Sequence, residues 1–245
     1  MDSTLLAPRP LRLLSVPFDT LRLAVRLPLL MAWVLVGLLV ALAMGLVPRL
    51  LPPRPIARIW ATGLLRIFGV RVRLHGRALQ GAHLQVANHV SWLDMFVLAT
   101  NGHYRYVAKS EVSRWPVART LANCMGTVYI DRKPGGAAPV LAKTTAALEA
   151  GGFFLFFPEG TTTDGHTLKD FHPRLFNAAT ASKSPVQAIA IRYQAAPRRL
   201  NVAPFIGTDT LVAHILRLLA NPGLQVEVYY CDSISGNDPA DLAQR

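Results

Sequence analysis

The chain has 245 residues and carries 26 Lys and Arg against 14 Asp and Glu, a formal net charge of +12, with a sequence pI near 10.5. That length suits one catalytic-sized domain with an appendage, and the basic balance points to an anionic partner such as an acidic membrane or a phosphorylated substrate. The basic residues are spread along the chain, and no zinc-finger spacing, RNP aromatic motif or basic heptad array occurs, which argues against nucleic acid. Cys124 and Cys231 read as plain thiols; neither they nor the seven His show metal-ligand spacing, so no metal is expected.

Residues 1–26 are apolar but interrupted by Arg9, Arg12, Arg22 and Arg26, and Pro8, Pro10 and Pro17 are expected to break any long helix there. Leu27 to Val47 then contains no charged residue and matches the roughly 20 residues that a spanning helix needs. Ala41-Leu42-Ala43 resembles a signal-peptide cleavage site, but the apolar run begins too late and is too long for the usual signal core. Pro48, Pro52, Pro53 and Pro55 end this helix. Ile56 to Val70 follows as an amphipathic helix suited to the headgroup region, its Arg58 and Arg66 near acidic lipid. Lys and Arg within 20 residues of the apolar run number four on each side, so charge chooses no orientation. A simple span and a helical hairpin dipping into one leaflet both fit.

From Val70 the texture changes. Strands are expected at Val70–Leu74, Leu84–Ala87, Tyr104–Ala108, Thr127–Ile130, Phe153–Phe157, Val186–Tyr193, Val202–Ile206 and Gln225–Tyr230, and helices around 91–100, 115–123, 137–150 and 208–220. This order predicts an α/β fold, a mixed and largely buried sheet flanked by helices, preceded by an N-terminal membrane-associating helical segment. The division falls at 1–70 and 71–245.

The stretch with most chemical content is Asn88-His89-Val90-Ser91-Trp92-Leu93-Asp94, at the end of the apolar run Leu84–Ala87. Ser91 is expected to cap the following helix, since Ser91-x-x-Asp94 has capping-box spacing. His89 and Asp94 then face each other across one turn, where a carboxylate can fix the imidazole tautomer and support the imidazolium. Three further segments sit at strand ends: Gly126-Thr127-Val128-Tyr129-Ile130-Asp131-Arg132, Phe157-Pro158-Glu159-Gly160-Thr161-Thr162-Thr163-Asp164-Gly165, and Ser184-Pro185-Val186-Gln187-Ala188-Ile189-Ala190-Ile191. Open α/β sheets bind ligands at the carboxyl ends of their strands.

In order and rough spacing, these four segments resemble the four sequence blocks of the glycerolipid acyltransferase family, which includes 1-acylglycerol-3-phosphate acyltransferases. The resemblance covers about residues 70–205. It implies transfer of a fatty acyl group from acyl-CoA or acyl carrier protein to a lipid hydroxyl, with no resident cofactor. It further implies that His89 is the general base and Asp94 its orienting acid, and that Lys109, Arg132, Glu159, Gly160 and Thr161 bind substrate. The expected partners are the lipid bilayer, a lysolipid acceptor and the acyl donor. The expected location is the inner or plasma membrane, with the catalytic part on the cytoplasmic side.

The residue types suit that chemistry. A lipid alcohol is a poor nucleophile until a base takes its proton, whereas a thioester is already reactive, so no acyl-enzyme is required and Gly-x-Ser-x-Gly is absent. Backbone N–H groups of the Gly160–Thr161 turn are candidate oxyanion donors. One departure concerns position 162. Where many members that take phosphate acceptors have Arg, this chain has Thr162, which cannot supply a bidentate cation. The resemblance therefore also admits a lyso-ornithine lipid or another lysophospholipid as acceptor. A lipid or thioester hydrolase using the same base, and a non-enzymatic membrane-docked binding protein, are the other functional classes that share these features.

Overall fold

Five strands form the main sheet of the computed structural model, which describes residues 17–46, 53–101, 105–114, 119, 123, 127–130, 137–195 and 200–245. Their order is β1 (Val70–His75), β7 (Leu224–Ile234), β6 (Val186–Ala195), β2 (His83–Ala87) and β5 (Phe153–Phe156). β1 is parallel to β7, β6 is antiparallel to β7, and β2 is parallel to both of its neighbours. A two-stranded parallel ladder of β3 (Val107–Lys109) and β4 (Val128–Ile130) lies beyond β5, linked to it by a parallel bridge between Tyr106 and Leu155. The sheet is mixed, as the order of elements predicts. Its consequence for function is directional: β2, β5 and β6 all end at the same edge.

Both faces are covered, which is why the central strands are apolar on both sides. Four helices lie on one face: α1 (Pro17–Leu46), α2 (Pro53–Ile67), α3 (Asp94–Ala99) and α6 (Leu211–Ala220). There Leu30, Leu65, Phe68, Val97, Ile191 and Leu218 belong to one buried cluster. On the other face α4 (Ala137–Glu149), α5 (Asn177–Ser182) and α7 (Pro239–Gln244) cover Leu84, Val86, Phe154 and Phe156. β2 is buried at every position, whereas β6 alternates: Ile189, Ile191 and Tyr193 are buried while Ala188, Ala190 and Arg192 are exposed. Leu30, Leu64, Leu65 and Phe68 share their cluster with Val97 and Ile189, so the core crosses the expected division at residue 70.

The N-terminal helices differ from expectation in one respect. α1 starts at Pro17, a residue expected to break a helix there, and continues through Pro28. Pro17 occupies the first turn, where its missing N–H has no intrahelical partner to lose, and Pro28 forfeits a single bond within 30 residues of helix. Phe18–Met44 is long enough and apolar enough to cross a bilayer. Phe18, Leu21, Leu29, Leu35, Leu39 and Leu42 are exposed on it. The buried side of α1 is the stripe Leu30, Gly37 and Ala41, at helical spacing.

That stripe meets α2 in a reciprocal lock. Trp33 Nε1 donates to the Trp60 carbonyl at 3.0 Å, and Trp60 Nε1 donates to the Trp33 carbonyl at 3.2 Å. Each indole lies over a glycine of the opposite helix: a Cβ on Gly37 would sit 2.3 Å from Trp60 Nε1, and one on Gly63 would sit 2.2 Å from Trp33. The hairpin is tied to α6 as well. Arg26 Nη1 donates to the carbonyls of Leu219 (3.1 Å) and Asn221 (2.6 Å), placing a cation at the carbonyl-rich end of α6. Trp60 and Phe96 pack with centroids 5.7 Å apart, joining α2 to α3.

Two further expectations are corrected. Val202–Ile206 is not a strand. Pro204 lacks the N–H that a ladder requires, and Phe205 instead bonds to loops at the sheet edge (below). The helix expected over 91–100 begins only at Asp94. The helix expected over 115–123 lies almost wholly outside the described residues.

Candidate active site

The site grows out of the end of β2. Beyond Ala87, Asn88 replaces the backbone ladder with its side chain: Nδ2 donates to the Ile191 carbonyl at 3.0 Å and Oδ1 accepts from Ile191 N–H at 2.7 Å. This ties the departing chain to β6 and turns His89 out of the sheet.

His89 Nδ1 lies 2.8 Å from Asp94 Oδ2. Asp94 is fully buried, with 0% of its side chain exposed, whereas His89 is 20% exposed, so the pair has a sealed end and an open end. The carboxylate collects donors from three directions. Oδ2 also accepts from the N–H groups of Val90 (2.8 Å) and Ser91 (3.0 Å), and Oδ1 accepts from the Tyr193 hydroxyl at 2.6 Å. A buried carboxylate needs this company, because an ion left without partners in the interior is strongly disfavoured. With Nδ1–H committed to Asp94, the lone pair of Nε2 is the one left for a substrate. The ring plane is set by Phe157, stacked at 4.0 Å between centroids and 14° between planes.

The expected capping box forms only by half. Asp94 reaches back to Ser91 N–H as the box requires, but the helix N-cap is Leu93, with no side-chain bond, and Ser91 Oγ lies 3.4 Å from Leu93 N. Asp94 is thus shared between the helix start and the imidazole.

Glu159, expected to bind the acceptor, is buried and points at backbone. Oε1 accepts from His89 N–H at 2.7 Å and Oε2 from Lys169 N–H at 3.1 Å. It therefore braces the His89 loop against the loop that follows β5. Gly160, at φ +65°, makes the turn, and its N–H donates to the Phe157 carbonyl at 3.1 Å, which takes it out of the expected oxyanion pair. Thr161 is half-buried beside it. Thr162 donates its hydroxyl to the Phe205 carbonyl, Phe205 N–H bonds to the Val90 carbonyl at 3.0 Å, and Thr163 N–H bonds to the His89 carbonyl at 2.8 Å. The Thr-rich turn, the 200–206 segment and the His89 loop are one hydrogen-bonded unit.

Lys109 ends β3 and pairs in register with Ile130 at the end of β4; both strands finish at the edge where β5 finishes. Arg132 and Cys124 lie outside the described residues. Two residues here escape a reading by motif, Tyr193 and His214, and the motif that contains Phe157 does not disclose its stacking on His89. Tyr193 is the last inward position of β6, and a tyrosine there, at the end of a strand parallel to β2, is the signal that could have marked it. Burial pushes the Tyr193 hydroxyl well above the usual tyrosine range, with the Asp94 charge and the hydrogen bond acting in the same direction. It remains a proton donor. His214 accepts from Trp92 Nε1 at 3.0 Å and is pushed down to about 4, chiefly by burial and then by Arg217. It is a neutral packing partner of the aromatic cluster beneath the loop.

The arrangement is a partly open imidazole, oriented by a buried carboxylate, at the edge where three parallel strands end. Comparison with known proteins identifies the family. The family model described as Acyltransferase matches residues 70–192. A lyso-ornithine lipid O-acyltransferase of Pseudomonas aeruginosa is 36% identical over 192 residues, covering 78% of this chain and 74% of that protein. A protein of the same description from Rhizobium meliloti is 32% identical over 75% of this chain and 68% of its own length. A 1-acyl-sn-glycerol-3-phosphate acyltransferase of Neisseria gonorrhoeae is 31% identical over 66% of this chain and 63% of its own length. Among solved structures, the 1-acyl-sn-glycerophosphate acyltransferase PlsC of Thermotoga maritima superposes with a TM-score of 0.54 at 19% identity, over 73% of this chain and 67% of that one, a likeness of fold.

Proposed function

Since this chain belongs to the acyltransferase family, we propose that it moves a fatty acyl group from a thioester donor, acyl-CoA or acyl carrier protein, to the hydroxyl of a lysolipid. His89 is the general base and Asp94 its orienting acid. The acceptor O–H proton passes to His89 Nε2 as its oxygen attacks the thioester carbonyl. The tetrahedral oxyanion then collapses, the C–S bond breaks, and the departing sulfur takes the proton back from Nε2. Asp94 keeps Nδ1–H facing it and stabilises the imidazolium between the two steps. Glu159 and Asn88 serve by holding the His89 loop, and with Gly160 N–H engaged Thr161 N–H is the member of that pair left to meet the oxyanion. Lys109 and Arg132 are proposed to hold the polar head of a substrate.

The observation that carries this reading is the 2.8 Å contact between a fully buried Asp94 and a partly open His89. For the acceptor, we favour a lyso-ornithine lipid over lysophosphatidate. Two observations support that preference: Thr162 stands where a phosphate-binding Arg is common and spends its hydroxyl on the Phe205 carbonyl, and several relatives of that description match at 32–36% identity. The exposed apolar length of α1 supports attachment to a bilayer; the α/β part is proposed to face the cytoplasm, the side that thioester donors would require.

The test is acyl transfer by the purified full chain in detergent, with lyso-ornithine lipid and lysophosphatidate as acceptors and acyl-CoA and acyl carrier protein as donors. His89→Ala should cost at least ~10²-fold while leaving the protein folded. A folded His89→Ala protein with wild-type transfer would remove the mechanism, and transfer to lysophosphatidate alone would overturn the acceptor.

A further inference from the structure

Tyr193 lies one residue beyond the stretch matched by the family model, on the strand next to the one that delivers His89. Its position follows from the register. Ala87 pairs with Ile189; Asn88 extends the pairing by bonding to both backbone groups of Ile191; the next inward residue of β6 is Tyr193, and its hydroxyl meets Asp94 Oδ1 at 2.6 Å. The strand is therefore held at the right height, two residues below, before the phenol reaches the carboxylate.

We propose that Tyr193 is a positioning residue for acyl transfer: by holding Oδ1 it fixes the rotation of the Asp94 carboxylate, aims Oδ2 at His89, and moderates the pull of that carboxylate on the imidazolium. This rests on the proposed roles of His89 and Asp94.

The donor count makes the case. An ionised carboxylate offers about four acceptor sites. Oδ2 already takes His89 Nδ1–H and the N–H groups of Val90 and Ser91, all from the same loop. Oδ1 takes one side-chain donor, from a different strand 99 residues away. Bonds to Oδ2 alone would let the group swing about that oxygen; a second anchor on Oδ1 stops the rotation. Donation to a carboxylate also spreads its charge, so each partner feels less of it.

The titratable groups around this pair are few among the described residues. Glu159 faces the His89 backbone from the loop after β5 and is engaged with two N–H groups. From α6 the group in the aromatic cluster is His214, held neutral on Trp92, while Arg217 is paired with Asp209. α2 packs over α3 with Trp60 on Phe96. Of the carboxylate's four donors, His89 and Tyr193 are the titratable ones, and removing Tyr193 leaves more of the charge to His89.

The experiment is the pH dependence of kcat/KM for acyl transfer from oleoyl-CoA to whichever of lyso-ornithine lipid and lysophosphatidate the wild type uses, with Tyr193→Phe and with 3-fluorotyrosine incorporated at position 193. Loss of the donor should raise the acid limb by about half a pH unit and lower plateau kcat by about 3- to 10-fold, with KM unchanged. The fluorinated side chain is nearly isosteric and a stronger donor, so it should move the acid limb the other way; it also answers the question if the Phe variant folds poorly. In an Asp94→Asn background, Tyr193→Phe should cost little further, because the partner is already gone. An acid limb that stays in place in both position-193 variants, with only thermal stability altered, would make Tyr193 a plain packing residue and overturn the proposal. A His89→Ala control that retains activity would instead sink the underlying base assignment, so the two failures are separable.

Discussion

Replacing Glu159 by Gln decides whether that residue touches the acceptor or only the loop. Its two carboxylate oxygens accept from His89 N–H at 2.7 Å and Lys169 N–H at 3.1 Å, and the side chain is 3% exposed. Gln keeps the shape and one acceptor oxygen but turns an NH₂ donor toward one of the two N–H groups. One charge-assisted bond, about 1.5–3 kcal/mol, is lost, and a buried N–H is left facing another donor, for about 2–4 kcal/mol in all. For a chain of this size that corresponds to a fall in Tm of roughly 4–16 °C. Because the Oε1 partner is the backbone of His89 itself, the base should lose its alignment, so kcat is expected to fall about 10-fold or more while KM for the lysolipid barely changes. Differential scanning fluorimetry and a full kcat and KM determination on the purified full chain read both quantities. A variant with unchanged Tm and kcat but a raised KM would refute this reasoning, since it would mean that the carboxylate meets the acceptor directly.

Two other perturbations test how the rest of the chain supports the site. Gly37→Ala puts a methyl where the Trp60 indole lies and should cost about 1–3 kcal/mol by overpacking, seen as a lower Tm together with faster proteolysis between α1 and α2; an unchanged protein would mean that the two indoles do not lock the hairpin. His214 is held near 4 in the fold against 6.5 unfolded, so the unfolded chain binds the extra proton between those values. Its contribution to stability is fully present above about pH 6.5 and is lost as pH falls toward 4, by about 3 kcal/mol at most. Denaturant unfolding at pH 7 and pH 4.5 should show a smaller difference for His214→Gln than for wild type, and an equal difference would contradict this account.

Much of the molecule is legible from local pattern. The charge-free run after Leu27 marks α1, the amphipathic period after Ile56 marks α2, and the short apolar runs mark seven of the eight expected strands. Such features depend on neighbours within a few residues, so period and composition carry them. The His89–Asp94 contact is of the same kind, since its partners stand five positions apart on one turn. The failures have local causes that pattern does not weigh. A proline at a helix start, as Pro17 is, does not break the helix that it opens, and Pro204 keeps the apolar Val202–Ile206 segment out of a ladder.

What only the tertiary structure decides is the set of partners brought from far along the chain. Tyr193 reaches Asp94 across 99 residues, Asn88 reaches Ile191 across 103, and Glu159 reaches His89 across 70. Trp33 and Trp60 exchange bonds across 27. Residue type and spacing do not pair these residues, because each pairing depends on how distant segments of the chain are brought together, for the strands on their order, direction and register. By itself the sequence determined which residues could act as base and orienting acid. The packed sheet decided which oxygen faces which donor: β2, β5 and β6 end at a common edge, and a buried carboxylate there must find every partner it has among the chain segments that meet at that edge.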